Sequence, residues 1–97
     1  MIVVEFAGYT FDDHKASFVC KHVLDGNPIL LFIHEIDGDI HFMCGAAGHT
    51  MEDIALVGIS HLLEHLRSIA ELPIVDPGFL AERPEPGGDW EVQAIEP

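Results

Sequence analysis

The chain has 97 residues, with 17 acidic against 4 basic side chains and a formal charge of −13 at pH 7. That length supports one hydrophobic core and not two, and an apolar content of 48% excludes wholesale disorder. A field this negative repels nucleic acid and anionic membranes and attracts basic partners, and two cysteines cannot build a disulfide framework.

The N-terminal MIVVEFAG lacks the basic segment of a secretory signal. A reducing, cytoplasmic setting is therefore expected. The most apolar later run, IALVGISHLL, covers about half of a membrane span, so no transmembrane helix is expected.

In chain order, residues 2–7 (IVVEFA) alternate loosely and are rich in β-branched side chains, which predicts a strand. Asp12, Asp13, His14 and Lys15 interrupt it as a loop. Residues 18–24 (FVCKHVL) read as a second strand, closed by the turn formers Asp25-Gly26-Asn27-Pro28. Residues 29–36 (ILLFIHEI) form the most apolar strand, and Asp37-Gly38 is the strongest hairpin signal in the chain. Residues 40–44 (IHFMC) follow, giving a three-strand antiparallel meander. Residues 54–57 (IALV) predict a further short strand. From Ile59 the period changes. Ile59, Leu62, Leu63, Leu66, Ile69 and Ala70 share one helical face, with Ser60, Glu64, Arg67 and Glu71 opposite, and Pro73 ends that helix. After a stretch rich in turn formers, residues 90–95 (WEVQAI) return as a final strand, with Trp90 either in the core or rimming a groove. The expected fold is α+β, with the meander and flanking strands forming an antiparallel sheet packed by one or two helices. One domain spans residues 1–97.

The segment 18–45 holds both cysteines and three of the seven histidines. A four-residue first turn sets Cys20 opposite Ile33 and His22 opposite Leu31. A three-residue second turn with Gly38 left-handed sets Glu35 opposite Asp39 and Ile33 opposite His41. One face then carries Phe18, Cys20, His22, Leu31, Ile33, Glu35, His41 and Met43. The other carries Val19, Lys21, Val23, Leu30, Phe32, His34, Phe42 and Cys44. Cysteines two strands apart lie roughly 9 to 10 Å from each other, whereas sulfurs sharing a zinc sit about 4 Å apart. On this register the two cysteines lie on opposite faces and cannot share a zinc or a disulfide. A two-residue Asp-Gly turn would bring Cys44 to the Cys20 face, still two strands away, and the glycine-rich 45–49 segment could fold back to help a zinc site of Cys20, His22, Cys44 and His49. Sheet packing of the cysteines as small hydrophobes is the competing account.

His61-Leu-Leu-Glu-His65 matches H-x-x-E-H, in which two histidines one helical turn apart hold zinc and the glutamate acts as base. The 32 residues that follow His65 offer little from which to build a peptidase cleft. No Walker lysine follows the glycines at 45–48, no serine sits in a nucleophile elbow, and basic patches with interleaved aromatics are missing.

The order of landmarks carries a family likeness. Cys20-Lys-His-Val, Asn27-Pro-Ile-Leu-Leu-Phe, Gly38-Asp-Ile-His-Phe-Met-Cys-Gly45, Val57-Gly-Ile-Ser-His-Leu-Leu and Ala81-Glu-Arg83 ahead of Trp90 resemble a family of small bacterial domains of unknown function similar to immunity proteins of polymorphic toxin systems. The likeness covers roughly residues 18–92. It departs from the pattern at His41, where a tryptophan is expected, and at 64–67, where an Asp-Pro-like break is expected. It implies an α+β protein that acts by binding, with no assigned catalytic residues to carry over; no cofactor is expected, with zinc as the alternative.

The expected function is thus a small acidic, immunity-like protein that binds or neutralises a basic protein partner, a toxin domain such as a nuclease. Asp37 and Asp39 at the hairpin tip, and Glu82, Glu85 and Asp89 around Trp90, are the expected contacts. The alternative is a zinc- or thiol-dependent protein using Cys20, His22, Cys44 and His49, with His61, Glu64 and His65 as a separate metal site.

Overall fold

The computed structural model describes residues 3–45, 51–65 and 69–95, with the backbone alone described at 51 and 63–65. Two sheets are formed. Strands β1 (Val3–Phe6) and β2 (Tyr9–Asp12) make an antiparallel hairpin whose tight turn places Ala7 and Gly8 at positive φ, 54° and 84°. The larger sheet has six strands, β3 (Ala16–Cys20), β4 (Leu31–His34), β5 (Ile40–Met43), β6 (Ile54–Gly58), β7 (Phe79–Glu82) and β8 (Glu91–Ala94), in the order β6-β3-β5-β4-β7-β8.

The hairpin between β4 and β5 follows the sequence. Ile33 pairs with His41, the Glu35 N–H donates to the Asp39 carbonyl at 2.8 Å, and Gly38 takes φ 99°. The meander does not form. β3 lies beside β5, parallel to it, with Phe18 opposite His41 and Val19 opposite Phe42. The reason lies in residues 21–27. Lys21–Leu24 coil into a one-turn helix, α1, closed by a Schellman motif in which Gly26 N–H reaches the Val23 carbonyl and Asn27 N–H the His22 carbonyl. Gly26 supplies the positive φ of 104°. A glycine followed by proline serves a helix end as well as it serves a hairpin turn, so the chain leaves the end of β3 and crosses over instead of reversing beside it.

The helix expected from Ile59 onward is also changed. Ile59–His65 forms 3-10 turns with a non-helical break at Leu62, and residues 66–68 lie outside the described residues. Burial of Ile59, Leu62 and Ile69 agrees with the apolar period while Ala70, expected on the same face, is exposed, and among the described residues α1 is the one regular α-helix outside the single turn at 69–70. The architecture is a mixed sheet with a short helix, richer in strand than an α+β fold with packing helices.

Burial alternates along β4 and through the paired centres of β3 and β5, while β8 is exposed throughout. Val19, Phe32, Phe42 and Ala81 are fully buried on one face, beneath the β1–β2 hairpin, whose Phe6 ring meets Phe32 edge-on at 5.8 Å and Phe42 at 5.7 Å. The opposite face is half open, with Phe18 stacked on His41 at 4.8 Å. Among the described residues no helix is long and apolar enough to cross a membrane.

Candidate metal centre

Because β3 and β5 are parallel neighbours, their C-terminal ends emerge at the same edge of the sheet. Cys20 is the last residue of β3 and also the N-cap of α1, His22 sits one residue into the helical turn, and Cys44 follows directly on β5. The ligand atoms of Cys20, His22 and Cys44 all lie within 4.8 Å of one another, and Cys44 Sγ is 3.7 Å from His22 Nδ1. This corrects the expectation of cysteines two strands apart. The signal available in the sequence was the Leu-Asp-Gly-Asn-Pro helix stop, which also serves as a turn signal.

The three donors differ in exposure. Cys20 is buried, Cys44 half-buried and His22 exposed. Burial pushes the Cys20 thiol pKa up, the backbone N–H groups of Val23 and Cys44 pull it down, and the nearby Cys44 side chain raises it again. Gly45 turns the chain immediately after Cys44 at φ 79°, and a Cβ there would come within 3.3 Å of Leu30 Cβ. A cleft of about 360 Å³ opens beside the cluster, lined by His22, Asn27, Pro28, Leu30 and Cys44. Asn27 is held against the turn by its Nδ2 donating to the His22 carbonyl at 3.0 Å.

Of the remaining candidate residues, His49 lies outside the described residues, as do the side chains of Glu64 and His65. His61 is exposed, and the α-helical spacing that H-x-x-E-H requires is not formed across the 3-10 segment. Asp37 accepts the Asp39 backbone N–H at 3.0 Å, so its carboxylate shapes the hairpin tip. Glu82, Glu85 and Asp89 are exposed near Trp90 at the other end of the strands, where Leu31 pairs with both Met43 and Glu82. The acidic candidates thus divide between two ends of the sheet, and the second group shares its end with the Cys/His cluster.

Trp90 is both core and cover. It is half-buried, its ring lies 4.4 Å from the Arg83 guanidinium carbon, and its Nε1 is buried without a hydrogen-bond partner among the described residues. In comparisons with protein families, curated proteins and solved structures, none matches the chain.

Proposed function

We propose that the protein is a small metal-binding domain that holds Zn²⁺ through Cys20 Sγ, His22 Nδ1 and Cys44 Sγ. The observation that carries this reading is the convergence of three soft donors from β3, α1 and the end of β5. In a tetrahedral zinc site with Zn–S near 2.3 Å and Zn–N near 2.05 Å, neighbouring sulfur and nitrogen donors lie about 3.6 Å apart. The Cys44–His22 pair already stands at 3.7 Å, and small side-chain rotations bring in Cys20. Two thiolates neutralise the ion, imidazole suits it, and the −13 charge concentrates cations near the surface. Three protein donors leave a fourth position, and the neighbouring cleft gives a ligand room to reach it. Elemental analysis and native mass of untagged protein should return about one zinc per chain, lost on Cys20→Ser, Cys44→Ser or His22→Ala. Absence of zinc uptake at micromolar metal refutes the reading.

We also infer a second role, favoured by one observation. Glu82, Glu85, Asp89 and Glu91 are all exposed on or around the β7–β8 hairpin. An immunity-like function would use this acidic end to capture a basic protein partner, with electrostatics setting the association rate. Binding to a basic protein encoded beside it should weaken with salt and with Glu82→Lys and Asp89→Lys. Affinity insensitive to both refutes this role.

A further inference from the structure

The same convergence has a redox consequence. We propose that Cys20 and Cys44 form a peroxide-reactive dithiol whose closure to a disulfide empties the metal centre. The inference rests on the metal reading for the release step and on geometry alone for the bridge.

The two sulfurs lie within 4.8 Å of each other. Continuing the parallel register from Val19 and Phe42 makes Cys20 and Cys44 diagonal neighbours on adjacent strands. Strand spacing and rise then place their Cα atoms about 6 Å apart, inside the range of about 4.4 to 6.8 Å that a disulfide spans. Neither is in a disulfide, and they differ in access, Cys20 buried and Cys44 half-buried beside the cleft. That asymmetry assigns the order of events. Cys44, the sulfur a peroxide can reach, attacks one peroxide oxygen, the O–O bond breaks, and Cys44 sulfenic acid and one water form. The Cys20 sulfur then displaces hydroxide from the Cys44 sulfur, and the S–S bond forms as a second water leaves. In sum, two thiols lose two protons and two electrons, and one hydrogen peroxide is reduced to two waters. A bridged pair offers no thiolate, so a metal held by Cys20, His22 and Cys44 keeps one of its three ligands.

The test uses the full chain, metal-free and zinc-loaded, with hydrogen peroxide as the probe. The metal-free chain should lose about 2 Da, consume both thiols, form no covalent dimer and yield a peptide linking Cys20 to Cys44. In Cys20→Ser, a sulfenic acid should be trapped on Cys44 by dimedone, and Cys44→Ser should react at least about 10-fold more slowly than the wild type. Bridging between chains, sulfinic acid on Cys44 with no bridge, or undiminished reaction of Cys20 in Cys44→Ser overturns the dithiol. If Cys20→Ser does not fold, the wild-type mass and peptide map decide the point. In the zinc-loaded chain, release in step with bridging supports the coupling, whereas zinc retained by a bridged chain overturns it. A chain that bridges but never takes up zinc refutes the metal reading and the release step while leaving the dithiol standing.

Discussion

Arg83 offers a decisive test of what holds the β7 end of the sheet. Its side chain is 2% exposed, its Nη1 stands 3.3 Å from Glu71 Oε2, its Nη2 donates to the Ile29 carbonyl at 3.4 Å, and Nε is buried with no partner among the described residues. Arg83→Met keeps most of the stem and removes the charge. The losses are the Trp90 cation–π contact, about 1 kcal/mol, an ion pair with a half-exposed carboxylate, under about 1 kcal/mol after solvent screening, and one long hydrogen bond of about 1 kcal/mol. Against these stand the unsatisfied Nε, about 1 to 3 kcal/mol, and the desolvation of a buried cation, several kcal/mol before compensation. The expected net change for methionine is therefore neutral to stabilising, by up to about 4 kcal/mol. Arg83→Ala also removes two buried methylenes at about 0.8 kcal/mol each and leaves a cavity, so it should cost about 2 to 3 kcal/mol. Urea unfolding followed by circular dichroism, with Trp90 fluorescence reporting the local contact, separates the two variants. If methionine is as damaging as alanine, the guanidinium's polar contacts hold this end and the packing argument fails.

His41 carries the clearest pH dependence. Burial lowers its pKa below the usual 6.5, outweighing Glu35 at 3.5 Å and the more distant Asp39 and Asp37, which raise it. Between the folded value and 6.5 the unfolded chain binds more protons, so stability contributed by the neutral ring is complete above 6.5, falls as pH drops through that value, and levels off below the folded pKa. His41→Phe should flatten the fall measured by urea midpoints between about pH 8 and 5; parallel curves for variant and wild type would refute the assignment. Gly38→Ala should cost about 1 to 2 kcal/mol, chiefly backbone strain at φ 99°, since none of the described residues lies within 4 Å of the added methyl. A neutral Gly38→Ala by thermal unfolding would mean the hairpin tip relaxes.

What the sequence disclosed depended on whether a local signal had one structural meaning. Asp37-Gly38 between apolar runs has few alternatives, and the β4–β5 register followed from it residue by residue. Face assignment by alternation also held for Phe18, Cys20, Val19, Ile33, Phe32, His41 and Phe42, because period two survives whichever neighbour a strand acquires. The neighbour itself is a long-range choice. Asp25-Gly26-Asn27-Pro28 fits a hairpin and a helix stop equally, and four residues of helix are too few to show a period. Strand β7 (Phe79–Glu82) was hidden among the turn formers on either side of it. The cluster residues Cys20, His22 and Cys44 were therefore legible as candidates, while their convergence was not. It follows from parallel pairing, which no local pattern between residues 18 and 45 encodes.

On the proposed reading, that pairing would make metal and disulfide alternative fasteners for one joint. Residues 20 and 44 lie 24 apart in the chain, and the segment between them contains α1, β4 and the hairpin. Cross-linking its ends removes about 3.5 kcal/mol of chain entropy from the unfolded state on the loop-closure scale, whether the link is a shared zinc or a covalent bond. For a domain whose whole stability is of order 5 to 15 kcal/mol, this is a large fraction. Oxidation should then exchange one cross-link for another. The sheet should keep its parallel β3–β5 pair, and the lasting difference should be an empty site beside the cleft formed by Asn27, Pro28 and Leu30. Reduced, metal-free protein has neither fastener, so it should be the least stable of the three forms. The order of their denaturation midpoints, with the bridged and zinc-loaded forms both above the reduced apo form, is the signature of a joint that either fastener can close.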